Sequence, residues 1–445
     1  MNLLFISLGC DKNLVDAEKM LGILGHDGFS FVDDENEADV IVINTCCFIG
    51  DAKEESVNTI LEMARLKETG RLKALVVTGC LAQRYREEII KEIPEVDAIL
   101  GTASYEEIGR AVREALEGRR TESFKDIDAP VSETTDRTVT TGGHYAFLKI
   151  AEGCDKRCTY CIIPYLRGKY RSVPMEQLVK EAGELAQKGV KELILVAQET
   201  TLYGKDLYGK KMLPELLKKL CAISGLQWIR LQYCYPEEIT DELIDTIRTE
   251  EKICHYLDIP IQHASDAILK RMGRRTSNQE IRQLIAKLRR EIPDIALRTT
   301  FISGFPGETE EDHQILKDFV KDMEFERAGV FTYSPEEDTP AYGFVDQIPE
   351  EVKERRRAEI MELQQEIAFA HSSAMEGRVL EAFIEGKVAD EDAYVGRTYM
   401  DSPDVDGLIF VNTDLSLMSG DFVRVRVTGA LDYDLIGEVE DEFTE

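Results

Sequence analysis

The chain has 445 residues, 43% of them hydrophobic and 31% charged, and carries a formal net charge of −31. That length accommodates two to four domains with their own cores, and the charge argues against a nucleic-acid substrate, whose phosphates call for cations. No apolar run exceeds strand length, so no membrane partner is expected. Ten cysteines with no signal peptide point to a reducing cytoplasm and to metal or redox chemistry.

Residues 1–117 are expected to form an α/β domain. Apolar runs at Leu3–Leu8, Val40–Asn44, Ala74–Thr78 and Ala98–Leu100 alternate with helical patterns over Asn13–Gly25, Asp51–Lys67, Arg84–Ile93 and Ser104–Leu116. Such alternation predicts a parallel sheet sandwiched between helices. A cysteine stands just past three of those strands: Cys10, Cys46 and Cys80. Ligand sites in parallel sheets lie beyond the carboxyl strand ends, so these thiols converge on one side and suit an iron–sulfur cluster with one iron left open. The competing reading makes them small buried residues at strand ends. Cys47 competes with Cys46, because adjacent residues near a strand end point in different directions.

Residues 118–143 are polar and rich in Thr, Ser and Gly, a linker with one short extended piece. From 144 to 374 the alternation resumes, with strands expected at Ala146–Ala151, Glu192–Ala197, Trp228–Gln232, Tyr256–Ile261, Ala296–Ile302 and Ala328–Tyr333. Six strand–helix units suit an open, partial (β/α)6 barrel, whose sites sit at the C-terminal strand ends. After the first strand comes Gly153-Cys154-Asp155-Lys156-Arg157-Cys158-Thr159-Tyr160-Cys161. Structural zinc normally takes four Cys/His ligands, yet the nearest histidine is His144 and no second knuckle follows. A disulfide would leave an odd thiol. Three soft thiolates suit a four-iron cluster whose last iron is free to bind a small molecule.

Gln198-Glu199-Thr200-Thr201, Gln262-His263 and Gly304-Phe305-Pro306-Gly307-Glu308 follow later strands and offer polar side chains and backbone to a ligand, although turn chemistry alone explains each run. His263 and His313 are expected to be satisfied surface or core residues, and Cys221, Cys234 and Cys254 to be packing residues. A long helix from Pro349 to Met375 carries Arg355-Arg356-Arg357, by default a solvated face. Residues 375–445 alternate Val, Ile and Phe with Gly- and Asp-rich turns, which predicts a small antiparallel β-barrel of about five strands, similar to an oligonucleotide-binding fold. From Glu376 onward there are 18 Asp/Glu against 5 Lys/Arg; a barrel that binds RNA should be basic.

The triad Cys154, Cys158 and Cys161 resembles the signature of radical S-adenosylmethionine (SAM) enzymes. The whole chain resembles the radical SAM methylthiotransferase family, with an N-terminal domain bearing three spaced cysteines, a radical SAM domain and a C-terminal TRAM domain. Leu8-Gly9-Cys10-Asp11-Lys12-Asn13-Leu14-Val15-Asp16, Asn44-Thr45-Cys46-Cys47-Phe48-Ile49, Ala52-Lys53-Glu54-Glu55-Ser56, Gly168-Lys169-Tyr170-Arg171-Ser172 and Asp432-Tyr433-Asp434-Leu435-Ile436-Gly437-Glu438 resemble the branch that modifies a ribosomal protein. The tRNA-modifying branch is expected to replace Lys12 and to have a basic TRAM domain.

The resemblance implies two [4Fe–4S] clusters. One, on Cys154, Cys158 and Cys161, would bind and split SAM. The auxiliary one, on Cys10, Cys80 and Cys46 (not Cys47, where this branch often has Gly), would carry a sulfur methylated by a second SAM. Gln198, Glu199, Gly304 and Gly307 are the candidate SAM contacts. The implied substrate is an aspartate of small-subunit ribosomal protein twelve, which gains a methylthio group on its β-carbon, and a reducing electron donor protein is the second partner. A very basic target agrees with the acidity of the chain. A tRNA adenosine (2-methylthio) methylthiotransferase is the alternative, and an iron–sulfur carrier or scaffold without SAM chemistry is a rival of another class.

Overall fold

Continuous apolar runs become parallel strands where helices cover both faces of a sheet. In the computed structural model, which describes residues 1–68, 70–132, 136–389 and 391–440, the N-terminal runs form a six-stranded parallel sheet. Its strands are β1 (Asn2–Ser7), β2 (Ser30–Phe31), β3 (Val40–Thr45), β4 (Ala74–Gly79), β5 (Ala98–Leu100) and β6 (Thr121–Ser123), in the order β2-β1-β3-β4-β5-β6. Every residue of β3 and β4 is buried. The short strand β6 lies in the polar stretch 118–143 and pairs with β5, so part of that stretch belongs to the sheet. The helix after β4 starts at Cys80 itself (Cys80–Arg84), earlier than the expected Arg84, and a second helix continues it over Arg86–Glu92.

The central strands are β7 (Tyr145–Lys149), β8 (Ala151–Glu152), β9 (Arg171–Ser172), β10 (Glu192–Val196), β11 (Trp228–Leu231), β12 (Ile253–Asp258), β13 (Ala296–Ser303) and β14 (Arg327–Thr332). Six of them form an open parallel sheet, β14-β13-β12-β11-β10-β7, while β8 and β9 make a separate antiparallel clip. β12 starts and ends three residues before its expected position. Pro260 has no N–H to give a ladder, so the apolar Ile259-Pro260-Ile261 falls outside the strand and Cys254 falls inside it.

The C-terminal strands β15 (Val379–Lys387), β16 (Ala393–Arg397), β17 (Ile409–Asn412), β18 (Phe422–Leu431) and β19 (Asp434–Val439) close into a barrel, antiparallel throughout except for the parallel β17–β19 pair. The barrel packs on Tyr145, Trp228, Cys254 and Ala296, at or near the amino ends of the central strands, in one core with Phe383, Ile409 and Val425. The carboxyl ends are thereby left free. Beneath this core Glu192 receives Arg230 at 2.8 Å and Arg397 at 2.7 Å, all three fully buried. Burial pushes the Glu192 carboxyl up, but Arg397 and Arg230 outweigh it and hold the group below the usual carboxylate range. Within the triple arginine only Arg355 and Arg357 face solvent. Arg356 is buried and donates to the carboxylate and carbonyl oxygens of Glu308, both at 2.9 Å.

Glu192→Gln would leave the buried Arg230 without an anion and Arg397 with Glu385 alone, and should cost about 3 kcal/mol in urea unfolding. A carboxylate with a depressed folded pKa stabilises fully above its unfolded value of about 4.3, and that stability is lost as pH falls through the folded value. The gap between wild type and variant should therefore narrow in acid below about pH 4.

Candidate metal centres

Thr45 pairs with Gly79 across β3 and β4, so Cys46 and Cys80 leave neighbouring strands at one level, about 4.8 Å apart along the sheet. Cys10 arrives from β1 on the other side of β3. Gly9 permits this approach: it has φ +92°, and a Cβ there would stand 2.6 Å from Cys46 Cβ and 2.8 Å from its Sγ. Asn13 ties the strand ends together by donating to the Leu8 and Thr45 carbonyls at 2.9 and 3.0 Å. Burial pushes the Cys46 thiol up to about 12, and the nearby Cys80 and Cys10 add to the rise. Burial also raises Cys80, with the Arg167 guanidinium opposing it. Cys47 instead packs in the core with Ile60, Leu81 and Ile162.

The second triad lies between the β8–β9 clip and a short helix, Ile163–Arg167. Its loop is fastened on both sides. Cys154 N donates to Gly168 O at 3.1 Å, Thr159 N to Met272 O at 2.9 Å, and Ala341 N to Thr159 O at 2.9 Å. Tyr235 Oη lies 3.7 Å from Cys158 Sγ. Burial pushes Cys154 up to about 12 and raises Cys161 further, and each feels the Cys158 thiol. Among the described residues no group of three His, Cys, Asp or Glu side chains is arranged to hold a single metal ion. A four-iron cluster needs a different spacing, since each of its cysteines binds a separate iron.

Contacts between the two bodies link the surroundings of the two triads. Lys12, two residues after Cys10, puts its ammonium 3.2 Å from the centre of the Tyr233 ring, and Tyr233 Oη donates to Asp11 at 3.2 Å. The loop after β11 thus meets the first triad's neighbours through Tyr233 and the second triad through Tyr235. Arg84 reaches Glu336 at 2.8 Å, and Gly50 N donates to Ser334 Oγ at 3.2 Å, closing the opposite side. Between the bodies Lys149 and Arg167 each bind both Asp16 and Glu152, and all four residues are buried. A cavity of about 150 Å³ reaches this network past Tyr105 and Arg171, and none of the six thiols lines it.

Three family models cover the chain. Residues 2–101 match Uncharacterized protein family UPF0004, 148–320 the Radical SAM superfamily and 377–439 the TRAM domain. A ribosomal protein uS12 methylthiotransferase RimO from Lachnoclostridium phytofermentans is 67% identical over 440 residues, covering 99% of this chain and 100% of that one. Another, from a Thermoanaerobacter species, is 50% identical over 437 residues, covering 98% and 99%. The chain belongs to the RimO family of uS12 methylthiotransferases. That membership decides against the tRNA alternative. In fold, the chain is similar to the radical S-adenosylmethionine methyltransferase TsrM from Kitasatospora setae, with a TM-score of 0.55 at 15% identity over 88% of this chain and 79% of that one.

In this RimO-family chain the four candidate SAM contacts divide into two pairs. Gln198 donates to Glu152 at 3.0 Å, and Glu199 sits 3.4 Å from Lys156, inside the second triad's loop. Gly304 and Gly307 are closed in by the chain's own atoms. A Cβ at Gly304 would stand 2.8 Å from Lys353 Cβ, and one at Gly307 2.9 Å from the Arg271 guanidinium carbon. His263 and His313 are buried and pair with Glu308 at 3.5 Å and Glu359 at 3.0 Å. Cys234 and Cys254 pack in cores, and Cys221 lies half-buried against one. Sequence reasoning missed Lys156, Arg167, Tyr233 and Tyr235. The available signals were Lys156 inside the cysteine motif and two tyrosines flanking Cys234 at a strand end.

Burial pushes the Glu199 carboxyl up to about 7, with Lys156 and Thr201 opposing and Glu238 and Glu237 adding. An acid whose folded pKa exceeds its unfolded value makes the fold lose stability as pH rises between the two, here from about 4.3 towards 7. In the metal-free protein, infrared titration should show this carboxyl deprotonating near pH 7, and Lys156→Met should move the midpoint upward.

Proposed function

We propose that the chain adds a methylthio group to the β-carbon of an aspartate in ribosomal protein uS12, using two [4Fe–4S] clusters and SAM. Cys154, Cys158 and Cys161 hold the SAM-binding cluster, and Cys10, Cys46 and Cys80 hold the auxiliary one. The observation that carries this reading is the pair of three-thiol sites, linked through Arg167 and the loop after β11, each one thiolate short of filling a cubane. When bound, the clusters and SAM supply the one-electron chemistry that opens an unactivated C–H bond and the methylated sulfur that replaces its hydrogen.

The chain's residues do the positioning. Tyr235 and the fastened 153–161 loop fix the Cys154/Cys158/Cys161 triad, while Gln198 and Glu199 offer polar atoms to SAM beside it. Gly304 and Gly307 shape the neighbouring wall by letting Lys353 and Arg271 approach. Asn13 and Gly9 set the Cys10/Cys46/Cys80 triad, and the Lys12–Tyr233 stack spans the gap between the two. Rigid closure of that gap keeps water and stray hydrogen donors away from the reacting carbon.

The charge of the chain supports a basic protein substrate over nucleic acid. Part of the barrel's acid is committed to docking, since Asp401 pairs with Arg327 and Asp406 with Arg298. Much of the rest faces solvent and can draw in a cationic protein. A reducing protein in the cytoplasm supplies the electrons. No helix among the described residues is long and apolar enough to cross a membrane.

Anaerobically prepared protein should contain about eight irons per chain, and either triad lost to alanine should leave about four. Cys158→Ala should abolish SAM cleavage, whereas Cys46→Ala should retain cleavage and lose methylthio transfer. Mass analysis of uS12 and of tRNA after incubation should find the added methylthio group on uS12 alone. Gly9→Ala, whose new Cβ would overlap Cys46, should lower iron content towards four irons without impairing SAM cleavage.

A further inference from the structure

Arg167 belongs to the central body but reaches the thiol group of the N-terminal one. It ends the short helix that begins two residues after Cys161, and its side chain is buried. Nη1 donates to Asp16 at 2.7 Å and to Glu152 at 3.0 Å. Nη2 donates to the side-chain oxygen of Asn13 and lies 3.6 Å from Cys80 Sγ, within hydrogen-bonding range of sulfur. The backbone holding it is fixed in turn, because Arg171 Nη1 donates to the Arg167 carbonyl at 3.2 Å. Glu152 lies two residues before Cys154. The guanidinium is therefore anchored at both ends of the second triad's loop while its free edge meets a thiol of the first.

An ion pair serving stability alone would need only the two carboxylates, and Lys149 already binds both. The contact with sulfur goes beyond that. A planar fork with five donors can serve two carboxylates, an amide oxygen and a sulfur together, which an ammonium cannot do with the same geometry. Hydrogen bonds and positive charge at a ligating sulfur stabilise the reduced, more negative state of a cluster and raise its potential.

Building on the ligand assignment above, we infer that Arg167 is a positioning residue that orients Cys80 and raises the reduction potential of the auxiliary cluster, linking it to the loop that holds the SAM-binding cluster. The test uses the full-length, cluster-loaded protein as wild type, Arg167→Gln, Arg167→Lys and Cys80→Ala. Iron content, potentiometric titration followed by electron paramagnetic resonance, SAM cleavage and uS12 methylthiolation are measured for each. The auxiliary signal is the one missing from Cys80→Ala.

Arg167→Gln should keep about eight irons and still cleave SAM. Its auxiliary cluster should be about tenfold harder to reduce, about 59 mV for one electron, with the other cluster unchanged and methylthio transfer slowed. Arg167→Lys, which keeps the charge but not the fork, should shift the same potential in the same direction by less. Unchanged potentials in a loaded variant overturn the inference, and Arg167→Lys alone decides it should the glutamine variant fail to fold. Cys80→Ala retaining about eight irons would overturn the ligand assignment, and this inference with it. Loss of about four irons there, with both potentials unmoved in the Arg167 variants, removes the role of Arg167 alone.

Discussion

Four buried charges, Asp16, Lys149, Glu152 and Arg167, join the helix after Cys10 to the loop around Cys154, and the geometry of the site depends on that junction. The set is neutral as a whole. Burial pushes the Glu152 carboxyl up, but Arg167 and Lys149 overcome it and hold the group well below the usual carboxylate range. Replacing such a set with apolar residues can leave stability unchanged or improved, whereas removing one member is costly. Stability alone is thus a weak reason for burying these charges here. Directionality is the better one: hydrogen-bonded ions fix relative position and rotation, and two cluster sites on separate bodies need both to be fixed.

The C-terminal barrel is fastened by the same device at the other end of the central strands. Glu192 between Arg230 and Arg397 lies on the inner face of the open sheet; the two guanidiniums stand over Trp228 and Phe383, which pack with Phe422 at ring separations of 4.5–5.7 Å. An open sheet would otherwise expose that face at its amino ends. By filling it, the barrel takes up the amino end of the sheet, while the N-terminal body docks towards the carboxyl end.

Where burial alone decides structure, the sequence was readable. β3 and β4 are buried along their whole length and came out within one residue of the apolar runs that announce them. The three cysteines past β1, β3 and β4 were visible because a strand–helix unit repeats at nearly constant length. β2 escaped because a strand of two residues carries no periodicity, and β6 was visible only as a short extended piece of the polar stretch. β12 was misplaced because an apolar run continues through Pro260 after the hydrogen-bonded ladder has stopped. Arg356 was assigned to solvent because its partner, Glu308, lies 48 residues away. Arg167 and Tyr233 were illegible for the same reason: their roles exist only once two separate bodies are docked.

The distribution of charge in this very acidic chain follows from what the site must hold. On the ligand assignment proposed above, six thiolates in two clusters would concentrate negative charge in an interior where desolvation opposes it. Each triad is accompanied by buried cations that offset part of this charge. Arg167 acts on Cys80, Lys12 interacts with Cys10, Lys156 acts on Cys154, and Arg274 on Cys161. Outside this lining the surplus of carboxylates faces solvent and the approaching basic protein. On the proposed function the two layers of charge answer different needs: the inner cations would stabilise ligated sulfur, and the outer anions would raise the encounter rate with a cationic substrate.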